Sequence, residues 1–283
     1  MSVARPLVDA LVRLALEEDL ALGDVTSEST IPANRLGEGH LAAKQALVLA
    51  GVDVATRVFA AVDPAIAVTW HASDGDAVLP KMRVATARGP LRSLLMAERT
   101  TLNFLQRLSG IATLTRAYVD AVAGTHASVV DTRKTTPGLR VLEKEAVRAG
   151  GGHNHRASLG AGVLIKDNHV DCSGGDLAET VRRARAGAAH SLIIEVEVRT
   201  LAEVDLALGS RADMLLLDNM SLDVMAEAVR RATNAGVRTE ASGGVRLDTI
   251  AAIARTGVDL ISVGALTHSA VAVDLHLKTI PLP

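Results

Sequence analysis

Leu192-Ile193-Ile194-Glu195-Val196-Glu197-Val198, a helical pattern over Leu201–Leu208, and then Met214-Leu215-Leu216-Leu217-Asp218-Asn219 read as strand, helix, strand. The same grammar extends in both directions. β-like runs recur at Ala127–Val130, Val163–Ile165, Val237–Glu240 and Asp259–Val263. Helical patterns lie at Leu139–Ala149, Leu177–Gly187, Leu222–Thr233 and Leu247–Thr256. Such alternation implies right-handed crossovers and a parallel sheet, hence an α/β fold. Six strands fit either an open doubly wound sheet or an incomplete barrel. The polar residues favour the barrel, because they stand where strands end: Asp131-Thr132-Arg133-Lys134, Lys166-Asp167-Asn168-His169, Glu195 and Glu197, Asp218-Asn219, Ser242-Gly243-Gly244, Gly264-Ala265. Contributions from all six ends suit one centre at the carboxyl face of an incomplete TIM-like α/β barrel.

Upstream the pattern is different. Pro6–Leu20 has a helical apolar face, and a Gly/Ser/Thr-rich loop is expected from Gly23 to Asn34. β-like runs follow at Leu41–Ala50, Ala65–Trp70 and Arg83–Ala87, with a helix over Asp53–Val62. Two helices, Pro90–Leu108 and Gly110–Val122, are expected to part at Ser109-Gly110. This half reads as a small α+β domain. The expected division is residues 1–110 for that domain, 111–270 for the barrel, and 271–283 for a C-terminal segment packing back on the first domain.

Composition narrows the ligand chemistry. The 283 residues are 48% hydrophobic and 22% charged, which fits a globular chain with a sizeable core. Trp70, Tyr118, Phe59 and Phe104 are the only aromatics. Four rings cannot build the stacking platforms of single-strand nucleic-acid binders. A net charge of −2 offers no global basic field for nucleic acid or an anionic membrane. Between Asp131 and Asp167, however, seven Lys/Arg face four Asp/Glu, a local +3, so anions are expected there. The single Cys172 and the absence of a signal-like start or a bilayer-length apolar run point to the cytoplasm.

Each candidate site has an ordinary alternative. Ser242-Gly243-Gly244 and Gly264-Ala265 let backbone N–H groups approach an oxyanion, or simply turn βα loops. Arg133, Lys134, Arg156 and Lys166 form a cationic pocket for a multiply anionic substrate, or neutralise Asp131, Glu195 and Glu197. Only six basic residues are lysine, yet two of them stand at strand ends. Glu195 and Glu197 face the same side of one strand. With Asp218 a strand away, Glu195 could hold Mg²⁺ together with substrate phosphates, or pair with Lys166 without a metal. In Gly150-Gly151-Gly152-His153-Asn154-His155-Arg156, no further ligands complete a zinc set; His155 reads as a donor to an anion and His153 as a surface residue. The Arg140, Lys144, Arg148 repeat reads as an ion-pair stripe with Glu143 and Glu145.

Asp131-Thr132-Arg133-Lys134-Thr135-Thr136-Pro137-Gly138-Leu139-Arg140, Gly150-Gly151-Gly152 with Asn154-His155-Arg156, and Ile165-Lys166-Asp167-Asn168-His169 together resemble the quinolinate phosphoribosyltransferase family. Glu18-Asp19-Leu20, Gly23 to Ser27, Ala97 to Asn103, Ser109 to Thr113 and Val263 to Ser269 extend the likeness over nearly the whole chain. Glu145 departs from it, standing where many members carry an aromatic. The resemblance implies an N-terminal α/β sandwich before the barrel, and a homodimer in which Arg99 enters the neighbour's site. The implied substrates are quinolinate and 5-phosphoribosyl 1-pyrophosphate. It implies quinolinate recognition by Arg99, Arg133, His155, Arg156 and Lys166, with Thr132 beside them. Lys134 and Mg²⁺ on Glu195 and Asp218 would meet the pyrophosphate, while Ser242, Gly243, Gly244, Val263, Gly264 and Ala265 would cradle the 5-phosphate. Lys134, Lys166, Glu195 and Asp218 are the implied catalytic set. Two enzyme alternatives are a Schiff-base aldolase acting through Lys166 and the related molybdenum-locus protein of this fold; a third is a non-catalytic anion-binding protein.

Overall fold

The computed structural model describes residues 5–283. In chain order the first elements are α1 (Arg5–Leu20), α2 (Val25–Thr30), β1 (Leu36–Ala43), β2 (Leu47–Val48) and α3 (Val52–Val62). Next come β3 (Ala67–Trp70), β4 (Ala77–Val78), β5 (Arg83–Pro90), α4 (Leu91–Ala121), β6 (Ser128–Val130) and α5 (Arg140–Ala149). Then follow β7 (Val163–Ile165), α6 (Asp167–Cys172), α7 (Leu177–Gly187), β8 (Ile194–Val198), α8 (Leu201–Gly209) and β9 (Met214–Asp218). The chain closes with α9 (Leu222–Asn234), β10 (Arg238–Ser242), α10 (Ile250–Ala254), β11 (Leu260–Ser262), α11 (Ala265–His268) and β12 (Leu275–Pro281).

The chain divides into two compact units. One holds the residues up to Arg116 together with Thr135–Gly151 and Leu266–Pro283; the other holds Ala117–Lys134 and Gly152–Ala265. Within the first, a sheet of order β12-β1-β5-β3 is antiparallel at every pairing. β12 supplies an edge strand, with His40 opposite Lys278 and Leu41 opposite Leu277. The core of this unit contains Leu41, Leu49, Phe59, Leu94, Leu105 and Ile111, all fully buried.

Two local expectations change here. The stretch after Gly23 holds a short helix, α2, because the Asp24 carboxylate caps it by accepting the Ser27 N–H at 2.9 Å. Ser109-Gly110 does not interrupt α4, which runs as one helix of 31 residues. Gly110 is there for packing: a Cβ at that position would stand 2.2 Å from the Val271 carbonyl oxygen. Ser109, fully buried, donates its hydroxyl to the Ala50 carbonyl and accepts the Ala50 N–H.

In the second unit the sheet order is β6-β11-β10-β9-β8-β7, and all five pairings are parallel. The strands run consecutively from β7 to β11, and the last then pairs with the first, β6. An open doubly wound sheet reverses its order at a switch point; a sheet whose last strand returns to its first is a barrel. β6 and β7 do not pair with each other, so the barrel is incomplete. Beside this seam His153 makes an isolated parallel bridge to Val130. The inner strands are apolar because they are covered on both faces, as in Met214-Leu215-Leu216-Leu217, all buried.

Candidate active site

The loop after β6 is built on Asp131, which is fully buried and accepts the His155 N–H at 2.9 Å and the Asn154 Nδ2–H at 2.7 Å. Thr132 Oγ1 accepts the Lys134 N–H at 3.0 Å, turning the chain immediately after the strand. Arg133, Arg156 and Lys166 line one cavity of about 640 Å³, with His169 and Arg183 also on its wall. Arg156 Nη1 donates to the Gly162 carbonyl at 2.9 Å. Burial, together with Arg133 nearby, pushes the Arg156 guanidinium below its usual pKa, and Glu195 opposes that shift. Three cations on one concave wall make a receptor for a small molecule with more than one negative charge.

Lys166 Nζ donates to the Glu197 carboxylate. Arg199 approaches Glu197 at 3.6 Å and Asp218 at 3.7 Å, and it also pairs with Asp167. Glu197, Asp218, Lys166 and Arg199 therefore share the mouth of the barrel. Glu195 does not join them. It stands in register with Met214, and Asp218 lies four residues farther along β9, about 13 Å at about 3.3 Å per residue. One cation with metal–oxygen bonds of about 2.1 Å cannot bridge that gap, so the expected Glu195–Asp218 metal pair is corrected. Glu197, in register with Leu216, is the strand neighbour at Asp218's depth. Sequence spacing identified both glutamates as inward-facing but could not say which was deeper.

His155 faces carboxylates from β8 and β10. Its Nε2 lies 3.1 Å from Glu195 Oε2 and 3.6 Å from Glu240 Oε2, while its Nδ1 accepts the Arg156 backbone N–H at 2.7 Å. Both ring nitrogens thus have partners within the chain, one of them the backbone of the neighbouring Arg156. Glu240 was missed in the sequence. The available signal was a charged residue at an inward position of a buried strand. Burial and the charge of Glu195 push Glu240 up to about 7, with His155 and Ser262 opposing and Asp131 adding to the rise.

The turn after β10 needs its glycines. Gly243 and Gly244 have φ of +96° and +58°, and a Cβ on Gly243 would meet the Asn219 amide at 2.3 Å. Asn219 is itself held by donating its N–H to the Ser242 carbonyl and its Nδ2–H to Asp218. α10 begins at Ile250 rather than at the expected Leu247, so no helix starts directly behind the glycine pair. Ser262 donates to the Ala241 carbonyl, and Val263 N–H to the Val130 carbonyl, which fixes the chain entering Gly264 and Ala265.

Arg99 belongs to the first unit. There it lines a separate cavity of about 200 Å³ with Glu18, Asp19, Asn103 and Arg107. Behind it, buried Glu143 accepts from Arg107 Nη2 at 2.9 Å and from Thr136 Oγ1 at 2.8 Å. Glu143 is thus part of a buried network rather than of the exposed stripe expected on α5.

An incomplete α/β barrel with a cationic pocket beside carboxylates at its carboxyl face defines a class: enzymes that handle small polyanions. The chain belongs to the quinolinate phosphoribosyltransferase family, whose C-terminal domain matches residues 111–278 and whose N-terminal domain matches residues 24–109. It is 42% identical to a probable nicotinate-nucleotide pyrophosphorylase (carboxylating) of Synechocystis, over 97% of this chain and 93% of the relative. The Bacillus subtilis relative of the same description is 41% identical over 92% of this chain and 89% of its own. Among solved structures, the nicotinate-nucleotide pyrophosphorylase of Francisella tularensis superposes with a TM-score of 0.92 at 39% identity, covering 99% of this chain and 98% of its own.

Proposed function

We propose that this protein transfers the phosphoribosyl group of 5-phosphoribosyl 1-pyrophosphate to quinolinate with decarboxylation, giving nicotinate mononucleotide, pyrophosphate and CO₂ in NAD biosynthesis. The observation that carries this reading is the wall formed by Arg133, Arg156 and Lys166. A pyridine with two adjacent carboxylates needs paired cations, and guanidinium forks match carboxylates in plane. The family's description and the charge of this wall both support that substrate.

Quinolinate is held by Arg133, Arg156 and Lys166, which orient the ring nitrogen toward the anomeric carbon. The nitrogen's lone pair forms the new C–N bond as the C–O bond to pyrophosphate breaks. Lys134 accompanies the departing pyrophosphate. The turns at Ser242–Gly244 and Val263–Ala265 receive the 5-phosphate through backbone N–H groups. Positive charge builds on the ribose as pyrophosphate leaves, and Glu197 and Asp218 are the carboxylates at the right depth to stabilise it. With the ring nitrogen cationic, the adjacent carboxylate leaves as CO₂ and its electron pair stays on the ring carbon. Lys166 Nζ supplies the proton that replaces it.

Mg²⁺ fits this donor set: Glu197 and Asp218 are hard oxygen ligands, and the remaining positions suit phosphate oxygens and water. When bound there it would neutralise charge on the pyrophosphate. Arg99 serves the site of a second copy in a homodimer. No described helix is long and apolar enough to cross a membrane; the single cysteine fits work in the cytoplasm, and the net charge of −2 offers no basic field for nucleic acid. The test mixes protein, quinolinate, 5-phosphoribosyl 1-pyrophosphate and Mg²⁺ and follows nicotinate mononucleotide by chromatography. Quinolinate bound without CO₂ release would reduce the protein to an anion binder.

A further inference from the structure

The two carboxylates assigned to the metal already carry cations of the chain's own. Glu197 Oε2 accepts from Lys166 Nζ, and its other oxygen, Oε1, lies 3.6 Å from Arg199 Nη2. Arg199 Nε stands 3.7 Å from Asp218 Oδ2, and Nη2 also pairs with the Asp167 carboxylate. A guanidinium keeps its charge at any working pH, so these are ion pairs, and one side chain serves three carboxylates. Lys166 has a part in the reaction above. Arg199 has none.

The base of this arm is fixed and its end has room to turn. Arg199 follows β8 and precedes Thr200, the N-cap of α8, and its backbone N–H donates at 2.6 Å to Glu203, the other half of the capping box. The side chain is half exposed, and a cavity of about 560 Å³ has Asp167, Glu197 and Arg199 on its wall. Asp167, the first residue of α6, is a partner that keeps the guanidinium when the contacts to Glu197 and Asp218 are given up. The charges at this mouth also matter. Lys166 and Arg199 against Asp167, Glu197 and Asp218 leave one net negative charge. A divalent cation entering alone turns that balance positive, whereas a diphosphate entering with it restores the negative sign.

We propose that Arg199 is the counter-cation of this mouth: it occupies Glu197 and Asp218 in the free protein and makes them weak ligands for a divalent cation that comes alone. The proposal rests on those two carboxylates being the metal's ligands, as argued above. A cation bound at about 2.1 Å from either carboxylate lies within about 6 Å of the guanidinium. Repulsion between a single and a double charge at that separation, in a nearly aqueous setting, weakens binding about tenfold.

Mn²⁺ binding to the full chain, with no substrate present, tests this through the paramagnetic resonance signal of the free ion. Mn²⁺ stands in for Mg²⁺ because both favour octahedral oxygen sites. Arg199→Gln binds Mn²⁺ about tenfold more tightly than wild type, while Arg199→Lys, which keeps the charge, stays within about threefold of wild type. Asp218→Asn added to Arg199→Gln removes most of the gain. Thermal melts without metal verify that each variant is folded. An Arg199→Gln protein that binds no more tightly than wild type, or an Arg199→Lys protein that gains as much, would overturn the proposal and leave the ligand assignment untouched. A gain that survives Asp218→Asn would remove the assignment of the two ligands and the proposal with it. Formation of nicotinate mononucleotide is a separate readout: its absence in the wild type would defeat the functional reading, and the Mn²⁺ titrations would still report on Arg199.

Discussion

Substituting Glu240 by Gln should change how stability depends on pH. The Glu240 carboxyl is pushed up to about 7 in the folded protein from an ordinary value of 4.5. Folded protein thus binds this proton more tightly than unfolded chain. The resulting stability is fully present below the ordinary value and is lost as pH rises through about 7. A rise of about 2.5 units corresponds to about 3 kcal/mol over the full range, and to about 2 kcal/mol between pH 5.5 and pH 8.5. Glutamine has nearly the shape of the protonated acid and cannot ionise. Urea unfolding of wild type and Glu240→Gln at both pH values reports on the charge shared around Glu240, because titrations remote from it cancel in the difference. The variant's stability relative to wild type should increase by about 2 kcal/mol from the lower to the higher pH. Parallel curves across that range would refute the claim that two carboxyl groups compete for charge in the barrel core.

Three further outcomes are expected. Arg156→Lys should lower kcat/KM for quinolinate about ten- to a hundredfold, since the ammonium replaces a planar fork by a point charge; kinetics near wild type would remove Arg156 from the pocket. Chelation should abolish turnover and added Mg²⁺ restore it, with Asp218→Asn needing more Mg²⁺ for half-maximal rate; full turnover in chelator would leave Glu197 and Asp218 to ion pairing alone. Gly110→Ala, which would improve helix propensity on an exposed helix, should here cost about 2 kcal/mol because its methyl meets the Val271 carbonyl; a urea midpoint at or above wild type would show that the contact yields.

Much of this architecture was legible because barrel strands are short apolar runs with polar residues just beyond them. The boundaries of α7 matched the periodicity, and the strands from β6 to β11 fell within a few residues of their runs. What could not be read was depth. Glu195 and Glu197 look alike in a sequence, since alternation fixes the face and not the level along the barrel; only the register with β9 separated them. The partners of His155 were out of reach for a related reason, as they come from β8 and β10, far away in the chain. Ser109-Gly110 looked like a helix break because a glycine's local cost is visible and its distant neighbour, Val271, is not. Glu143 seemed one more charge on a surface stripe until Arg107, on a different helix, buried it.

The seam between β6 and β7 has a consequence for how this protein can be made selective. A closed eight-stranded barrel fills its interior with its own side chains and leaves ligands to the loops above. Here Arg133, from the loop after β6, and β7 itself border the same 640 Å³ of space. A substrate held there as proposed would occupy a place where wall is missing, beside β7, which ends the sheet and pairs with β8 alone. Substitutions on this three-residue strand should therefore alter the pocket's width while touching a single strand pairing, where a change on an inner strand would touch two.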